Sequence, residues 1–183
     1  GYTVHLGGNI GTPLFDRIAD IRPDDFAVLE LSSFQLHSMH CAPDVAIITN
    51  ISPNHLDVHP DFEDYVSAKC SIYRGQRPDG VLVLNARDAH TPRFAAEAPG
   101  SVRYFSSIGP VENGVYCSDG VIYRAHGGKA EKLIDVSDIR IPGAHNVENY
   151  MAAFAATDGL VGQAACVQVA RSFAGVPHRM ERI

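Results

Sequence analysis

Three short, nearly continuous apolar runs in the first half of the chain constrain its fold more than any other feature. They occupy residues 26–31 (FAVLEL), 45–49 (VAIIT) and 81–84 (VLVL). Runs of this kind, rich in Val and Ile, are typical of strands that are covered on both faces, as in a parallel sheet. Because stretches with helical spacing separate them, the pattern predicts an α/β fold with a doubly wound, mostly parallel, Rossmann-like sheet.

Helical candidates fill the intervals between these runs and the end of the chain. Thr12 followed by Pro13 resembles an N-cap with proline in the first turn, which predicts a helix through Ile18. The other candidates have apolar residues spaced by three and four positions. They are residues 61–74, 86–98, 145–158 and 163–173.

The segment from residue 102 to residue 141 has a different pattern. Asp119-Gly120 and Gly127-Gly128 are tight-turn dipeptides, flanked by the strand-like sequences GVYCS, VIYRA and EKLID. Strands that are joined by such short turns pair in an antiparallel sense. The segment 102–141 therefore predicts a small antiparallel β-meander within the domain.

Composition excludes several classes of protein. The 183 residues, of which 45% are hydrophobic, suit one sizeable globular domain. A net charge of −6 argues against a protein held to nucleic acid by phosphate neutralisation. The sequence contains neither an apolar run long enough for a transmembrane helix nor a signal-peptide pattern at its start. The four cysteines form no CxxC pair and are expected to be reduced thiols of a cytoplasmic protein.

Lys69 occupies an unusual position for a lysine, because it falls in the middle of the apolar stripe of the helix predicted at residues 61–74. The stripe consists of Phe62, Tyr65, Val66, Ile72 and Tyr73. A lysine at such a position must extend its ammonium group to water along its apolar stem, pair with a carboxylate or lose its charge. The residues alone leave these outcomes open.

Polar side chains lie at the carboxyl ends of two predicted strands. Glu30 is inside the FAVLEL run, and His55 and Asp57 follow the VAIIT run. Ligands of open parallel sheets bind at this edge, carboxylate oxygens suit Mg²⁺, and histidine is a common metal ligand. For Glu30 the alternatives are a buried ion pair or a strand-end residue that reaches water, and for His55 the alternative is an ordinary loop histidine.

Residues 7–12 (GGNIGT) form a glycine-rich strand-to-helix turn. Its backbone amides and the following helix N-terminus suit an anion. It is not a Walker A loop, because no Lys-Ser/Thr pair follows at the required place. A tight bend without a ligand is the alternative.

Two further groups suit nucleotide contacts. Asn146 and Asn149 share one helical face at a spacing of three, where their amides either read a nucleobase edge or cap the helix. His178-Arg179 adds a guanidinium suited to a phosphate or a ribose, with an exposed arginine as the alternative.

The order of these segments resembles the successive motifs of the central domain of the Mur ligase family, which has a P-loop-type α/β fold. In chain order the motifs are GGNIG, LELSSFQL, TNISPNHLDVH, AKCSIY, GAHNVEN and GVPHR. The resemblance spans residues 7 to 179. GNIG and ELSSFQL are most similar to the members that add D-glutamate to UDP-N-acetylmuramoyl-L-alanine.

The resemblance implies an amide ligase that uses ATP and Mg²⁺, and an acyl-phosphate intermediate, in the synthesis of peptidoglycan precursors. It assigns the metal-binding and catalytic roles to Glu30, His55 and Lys69, with Lys69 carbamylated by CO₂. It places Asn9 and Ser32 near the muramoyl-alanine substrate. It assigns the nucleotide contacts to Asn146, Asn149, His178 and Arg179.

The resemblance also implies that residues 1–183 are an incomplete central domain. The family's phosphate loop would precede residue 1, and the chain would end near 179–183 at the junction to a C-terminal domain. A fragment of this kind is expected to be inactive alone. The expected partners are the small molecules ATP, D-glutamate and UDP-N-acetylmuramoyl-L-alanine, bound by a cytoplasmic monomer without nucleic acid or membrane.

Three alternatives remain from the residues. A folylpolyglutamate synthase-like ligase has a related central domain and a similar lysine. A non-catalytic nucleotide-binding module agrees with the missing phosphate loop. A metallohydrolase that uses Glu30, His55 and Asp57 would need a site that is competent without that loop.

Overall fold

The computed structural model describes residues 1–9, 13–53 and 59–175. The chain divides into two compact units. Unit 1 comprises Gly1–Cys41 and Asn54–Ile72, and unit 2 comprises Ala42–Pro53 and Tyr73–Ile183. No helix in the described part of the chain has both the length and the apolar character needed to cross a bilayer.

Unit 1 is built on two parallel strands. Strand β1 (Val4–Gly8) pairs with β2 (Phe26–Glu30), with Val4 opposite Phe26 and Gly8 opposite Glu30. Helix α1 (Ser33–Ser38) follows β2 directly. Helix α2 (Phe62–Arg74) carries most of the buried apolar side chains of this unit, and its last two residues belong to unit 2.

Strand β2 forms where its apolar run predicts a strand, but the expectation that both its faces are covered is wrong. Val28 and Leu29, which point to opposite faces, are 50% and 46% exposed. The physical reason is that β2 has only β1 as a strand neighbour among the described residues. An apolar run indicates that its residues favour a buried position, but it does not show which segment packs over them.

The helix predicted from Thr12 to Ile18 also differs from the structure. Phe15–Asp20 form a 3₁₀ helix in which none of the residues is buried, and its N-cap, Leu14, makes no side-chain capping bond. Thr12 lies outside the described residues. An α-helix of this length needs a buried face or a good cap to offset its nucleation cost, and Phe15–Asp20 have neither.

Unit 2 contains a mixed six-stranded sheet whose strands lie in sequence order. They are β3 (Val45–Ile48), β4 (Val81–Asn85), β5 (Ser101–Ser106), β6 (Gly114–Ser118), β7 (Val121–His126) and β8 (Lys129–Asp135). Neighbours from β3 to β6 pair in parallel, and neighbours from β6 to β8 pair antiparallel. The expected mostly parallel α/β architecture is therefore confirmed.

The antiparallel meander occupies Gly114 to Asp135 and belongs to the same sheet as the parallel strands. The segment 102–141 also contributes most of β5, which is parallel to both of its neighbours. The β5–β6 overlap runs only from the Tyr104–Gly114 pair to the Ser106–Tyr116 pair, so the short connection at residues 107–113 suffices to return the chain.

Helices cover the sheet of unit 2. They are α3 (Thr91–Glu97), α4 (Ala144–Ala156) and α5 (Gln163–Ser172). Helix α4 places Met151 and Ala155, both fully buried, in one cluster with Phe105 and Val115 of the strands. Burial of a side chain as large as Phe or Met contributes about 1.5–3 kcal/mol. This cluster is the main core of unit 2.

Gly8, the last residue of β1, lies opposite Glu30, the last residue of β2. Its φ of +107° lies in a region that L side chains rarely adopt, and a Cβ at this position would collide with the backbone carbonyl oxygen of Glu30. The amide of the next residue, Asn9, donates a 2.7 Å hydrogen bond to the same carbonyl. A side chain at position 8 is therefore incompatible with the observed pairing.

We expect Gly8→Ala to lower the free energy of unfolding of unit 1 by about 2–4 kcal/mol, because it combines backbone strain with a backbone collision. The matched control is Gly120→Ala, since Gly120 also has a positive φ (+75°) but has open space where its Cβ would be. The control should cost about 1–2 kcal/mol, from backbone strain alone. Hydrogen–deuterium exchange should show faster exchange in β1 and β2 only for Gly8→Ala, and equal effects of both substitutions would contradict the prediction.

Candidate functional site

The carboxyl ends of β1 and β2 bring Asn9 and Glu30 together. The Asn9 N–H donates to the Glu30 carbonyl at 2.7 Å, and Gly8 pairs with Glu30 in the sheet register. Both side chains, of Asn9 and of Glu30, are exposed. Two of the residues proposed from the sequence therefore share one strand-end edge in unit 1.

The apolar run around Glu30 predicts a buried strand. In the structure, however, the Glu30 carboxylate does not lie in a buried strand. It is exposed, because both faces of β2 are largely open in the described part of the chain. An exposed carboxylate keeps its charge without a desolvation cost that a partner must offset. Its oxygens can therefore bind a cation, and no buried ion pair has to be broken first.

Lys69 is half-buried on α2, and its ammonium group is directed at the end of β2. Its Nζ donates a 3.4 Å hydrogen bond to the carbonyl of Leu31, the residue after Glu30. Burial lowers the pKa of Lys69, and the negative charge of Glu30 raises it by a smaller amount. The structure therefore places Lys69 and Glu30 together, and the balance of these effects favours the neutral amine more than in a free lysine.

Ser32 has a local structural role beside the substrate role that was expected for it. Its Oγ accepts from the Gln35 N–H at 3.3 Å, while the Gln35 side chain accepts from the Ser32 N–H at 2.9 Å. This capping box begins helix α1, which was not among the helical candidates. The Ser-x-x-Gln spacing at positions 32–35 is the sequence signal that identifies this helix start.

Several expected site residues lie outside the described residues. They are His55 and Asp57, within residues 54–58, and His178 and Arg179, within residues 176–183. The last part of the glycine-rich turn, residues 10–12, lies outside as well. Their roles stay predictions from the sequence.

Asn146 and Asn149 lie in unit 2, in the first turns of α4. Gly143, with φ of +109°, precedes the helix. The side-chain NH₂ group of Asn146 donates a 2.6 Å hydrogen bond to the carbonyl of Pro142. This bond ties the side chain of Asn146 to the residue that precedes Gly143, but it does not cap the N–H groups of α4, so both alternatives for the pair stay open. Asn149 is exposed on the same face.

A cavity of about 430 Å³ adjoins the start of α4. The cavity is partly open to solvent, and its mainly apolar lining includes Ser107, Ile139, Ile141, Gly143 and Val147. It lies within unit 2, next to the two asparagines in sequence.

Comparison with known proteins identifies the family. The model of the Mur ligase middle domain matches residues 6–157. The UDP-N-acetylmuramoylalanine--D-glutamate ligase of Acetivibrio thermocellus is 48% identical over 183 residues, which cover 100% of this chain and 39% of that protein. The chain therefore spans about two fifths of the length of this relative.

Solved structures show the same fold at low sequence identity. A pseudomurein peptide ligase type C from Methanothermus fervidus matches with a TM-score of 0.67 at 18% identity, over 100% of this chain and 51% of that chain. E. coli FolC in complex with DHPP and ADP matches with a TM-score of 0.59 at 18% identity, over 87% of this chain and 37% of that chain. These similarities support the fold of the two units without assigning a substrate.

The Lys69 titration gives a direct test of the strand-end geometry. Because the charge of Glu30 raises the pKa of Lys69, we expect Glu30→Gln to move the titration of Lys69 to lower pH. The NMR signals of the Lys69 side chain, followed against pH, measure this midpoint. Asp20→Asn is the matched control, since it removes one exposed carboxylate of unit 1. A midpoint that moves equally in both variants, or in neither, would contradict the placement of Glu30 beside Lys69.

Proposed function

This chain belongs to the Mur ligase family, and we propose that the protein containing it is an ATP-dependent ligase that adds D-glutamate to UDP-N-acetylmuramoyl-L-alanine. The observation that carries the proposal is the placement of Glu30 and Lys69 together at the end of β2. The 48% identity to a ligase with that name supports the choice of substrates.

The residues at this strand end fit a magnesium site if Lys69 is carbamylated. The exposed Glu30 carboxylate offers the hard oxygen ligand that Mg²⁺ prefers. An ammonium group repels a cation, whereas a carbamate on the same nitrogen presents anionic oxygens. We propose His55 as a further ligand from its position in the sequence. Bound Mg²⁺ would neutralise charge on the transferred phosphoryl group and on the attacking carboxylate.

Lys69 has the properties that carbamate formation requires. Only the neutral amine attacks CO₂: the nitrogen lone pair forms the N–C bond, one C=O electron pair moves to oxygen, and one proton leaves the nitrogen to water. Burial lowers the pKa of Lys69 and so increases the neutral fraction at a given pH. The Leu31 carbonyl, which already accepts from Nζ, can keep the remaining N–H oriented.

Nucleotide contacts are assigned to unit 2 and to the chain's last residues. Asn149 presents an exposed amide, which has the donor and acceptor pair that an adenine edge needs. Asn146, nearly one turn earlier on the same helical face, is proposed as a second contact, and its side chain is held by a hydrogen bond to the Pro142 carbonyl. His178 and Arg179 are proposed to face the nucleotide phosphates or ribose. The family fold is also that of FolC, whose solved structure contains ADP.

The remaining assignments follow from this reaction. Asn9, beside Glu30, and Ser32, at the cap of α1, are proposed to lie near the muramoyl-alanine substrate. The partners are then small molecules, and the protein acts as a cytoplasmic monomer. ATP phosphorylates the substrate carboxylate, and the amine of D-glutamate displaces phosphate from the acyl phosphate.

Substrate-dependent ADP release tests the proposed function. In the full-length protein we expect release with UDP-N-acetylmuramoyl-L-alanine and D-glutamate, and none with a folate substrate. Release with the folate alone would favour the folylpolyglutamate synthase-like alternative, and binding of Mg-ATP without any release would favour the nucleotide-binding module. Residues 1–183 alone should show negligible turnover. Glu30→Gln should lower kcat by roughly 100-fold, because it removes an anionic ligand at the reacting phosphate.

Carbamylation of Lys69 has an independent readout. With ¹³C-labelled bicarbonate, we expect a carbamate carbonyl NMR signal that grows as pH rises and as Mg²⁺ is added. Lys69→Arg keeps the positive charge but cannot form this carbamate, so the signal should be absent. A signal of equal size in Lys69→Arg would assign the carbamate to another amine, such as the N-terminus.

A further inference from the structure

Unit 1 contains a second group of polar side chains, separate from Glu30 and Lys69. It consists of His37 on α1, His59, and Asp64 on α2, and one ligand atom from each lies within 4.8 Å of the others. His59 Nδ1 is 2.7 Å from one carboxylate oxygen of Asp64, and His37 Nε2 is 3.3 Å from the other. Two imidazoles therefore converge on one carboxylate.

The imidazole of His59 is fixed in place by its surroundings. The residue is 4% exposed, its ring stacks on Phe34 at 5.6 Å, and the Tyr65 ring meets it edge-on at 5.4 Å. Its Nε2 is 3.0 Å from the hydroxyl oxygen of Ser33, which is buried as well. Metal-bound histidines are commonly oriented in this way, by a hydrogen bond from the second ring nitrogen to an oxygen.

The protons of the cluster can be arranged in two ways. Without a cation, His59 Nδ1–H donates to Asp64, and Ser33 donates its O–H to His59 Nε2. With a cation on Nδ1, the proton moves to Nε2, which then donates to the Ser33 oxygen. A hydroxyl group both donates and accepts, so Ser33 satisfies the buried ring nitrogen in either state.

We propose that His37, His59 and Asp64 bind one divalent cation of the zinc class. Two neutral imidazoles and one carboxylate are ligands that Zn²⁺, Co²⁺ and Ni²⁺ prefer over Mg²⁺. The His37 and Asp64 side chains are 57% and 31% exposed, which gives the cation access from solvent and leaves a fourth position for water. The proposal does not depend on the ligase activity.

A cation at this site would connect three parts of unit 1. His37 and Asp64 are separated by 27 positions in the sequence, and His59 lies between them. A bond from each to one ion holds α1, residue 59 and the first turn of α2 together. The folded form then gains stability with the concentration of free metal, because the unfolded chain lacks the preformed site.

Titration of the metal-free full-length protein with Co²⁺ alone tests the proposal. We expect one equivalent to bind with the visible absorption bands of a four- or five-coordinate site, and Zn²⁺ to displace it. His37→Ala and Asp64→Asn should weaken binding by tenfold or more. His40→Ala is the matched control, since His40 is an exposed histidine three positions after His37. The Co²⁺ affinity of this variant should stay within about twofold of the wild type.

Competition with Mg²⁺ and the variant His37→Ala separate this site from the strand-end site. Excess Mg²⁺, which prefers oxygen ligands, should leave the Co²⁺ affinity of the cluster unchanged, whereas loss of these absorption bands in excess Mg²⁺ would place the cation at the strand end. Excess Zn²⁺ should raise the Tm of the wild type but not of His37→Ala, whose substitution is at an exposed position and does not disturb the buried His59. Absence of saturable binding, or equal affinities of His37→Ala and His40→Ala, would overturn the proposal.

Discussion

The close approach of Gly8 to Glu30 determines the arrangement at the strand ends. A residue with a side chain cannot occupy position 8, because its Cβ would meet the Glu30 carbonyl. The hydrogen bond from Asn9 to that carbonyl contributes about 1 kcal/mol. The steric requirement is therefore the stronger constraint, and it fixes the backbone of Gly8 and Asn9 beside Glu30.

The attraction between Lys69 and Glu30 is too weak to keep Lys69 fully charged. An ion pair that offset the whole cost of burial would hold the ammonium charged, but the pKa of Lys69 is lowered, because burial outweighs the attraction of Glu30. If Lys69 is carbamylated as proposed, the same geometry would have the opposite consequence, since two anions would then lie close together. Such a pair is stable only with a cation between them. Carbamate and Mg²⁺ are therefore expected to depend on each other for binding.

The sequence predicts the elements of this fold better than their environment. Apolar runs locate β3 and β4, and helical spacing locates α2, since these patterns arise from local periodicity. The exposure of β2 could not be predicted, because it depends on which segments pack beside it. The Ser-x-x-Gln spacing is a local pattern from which the role of Ser32 as a helix cap can be predicted. By contrast, the pairing of His37 with Asp64 joins residues 27 positions apart, and only the folded chain shows it.

Helix α2 connects the two proposed cation sites, because it carries both Asp64 and Lys69. Five positions along an α-helix correspond to a rise of about 7.5 Å and a rotation of about 140° beyond one full turn. The two side chains therefore leave the helix on different sides. The ligand types also differ: hard oxygens at the strand end, and imidazole nitrogens at the His37–His59–Asp64 cluster. A cation held by Asp64 would therefore not compete with Mg²⁺ for ligands. It would instead fix the first turn of α2 and, through the rigid helix, restrict the positions from which Lys69 reaches Glu30.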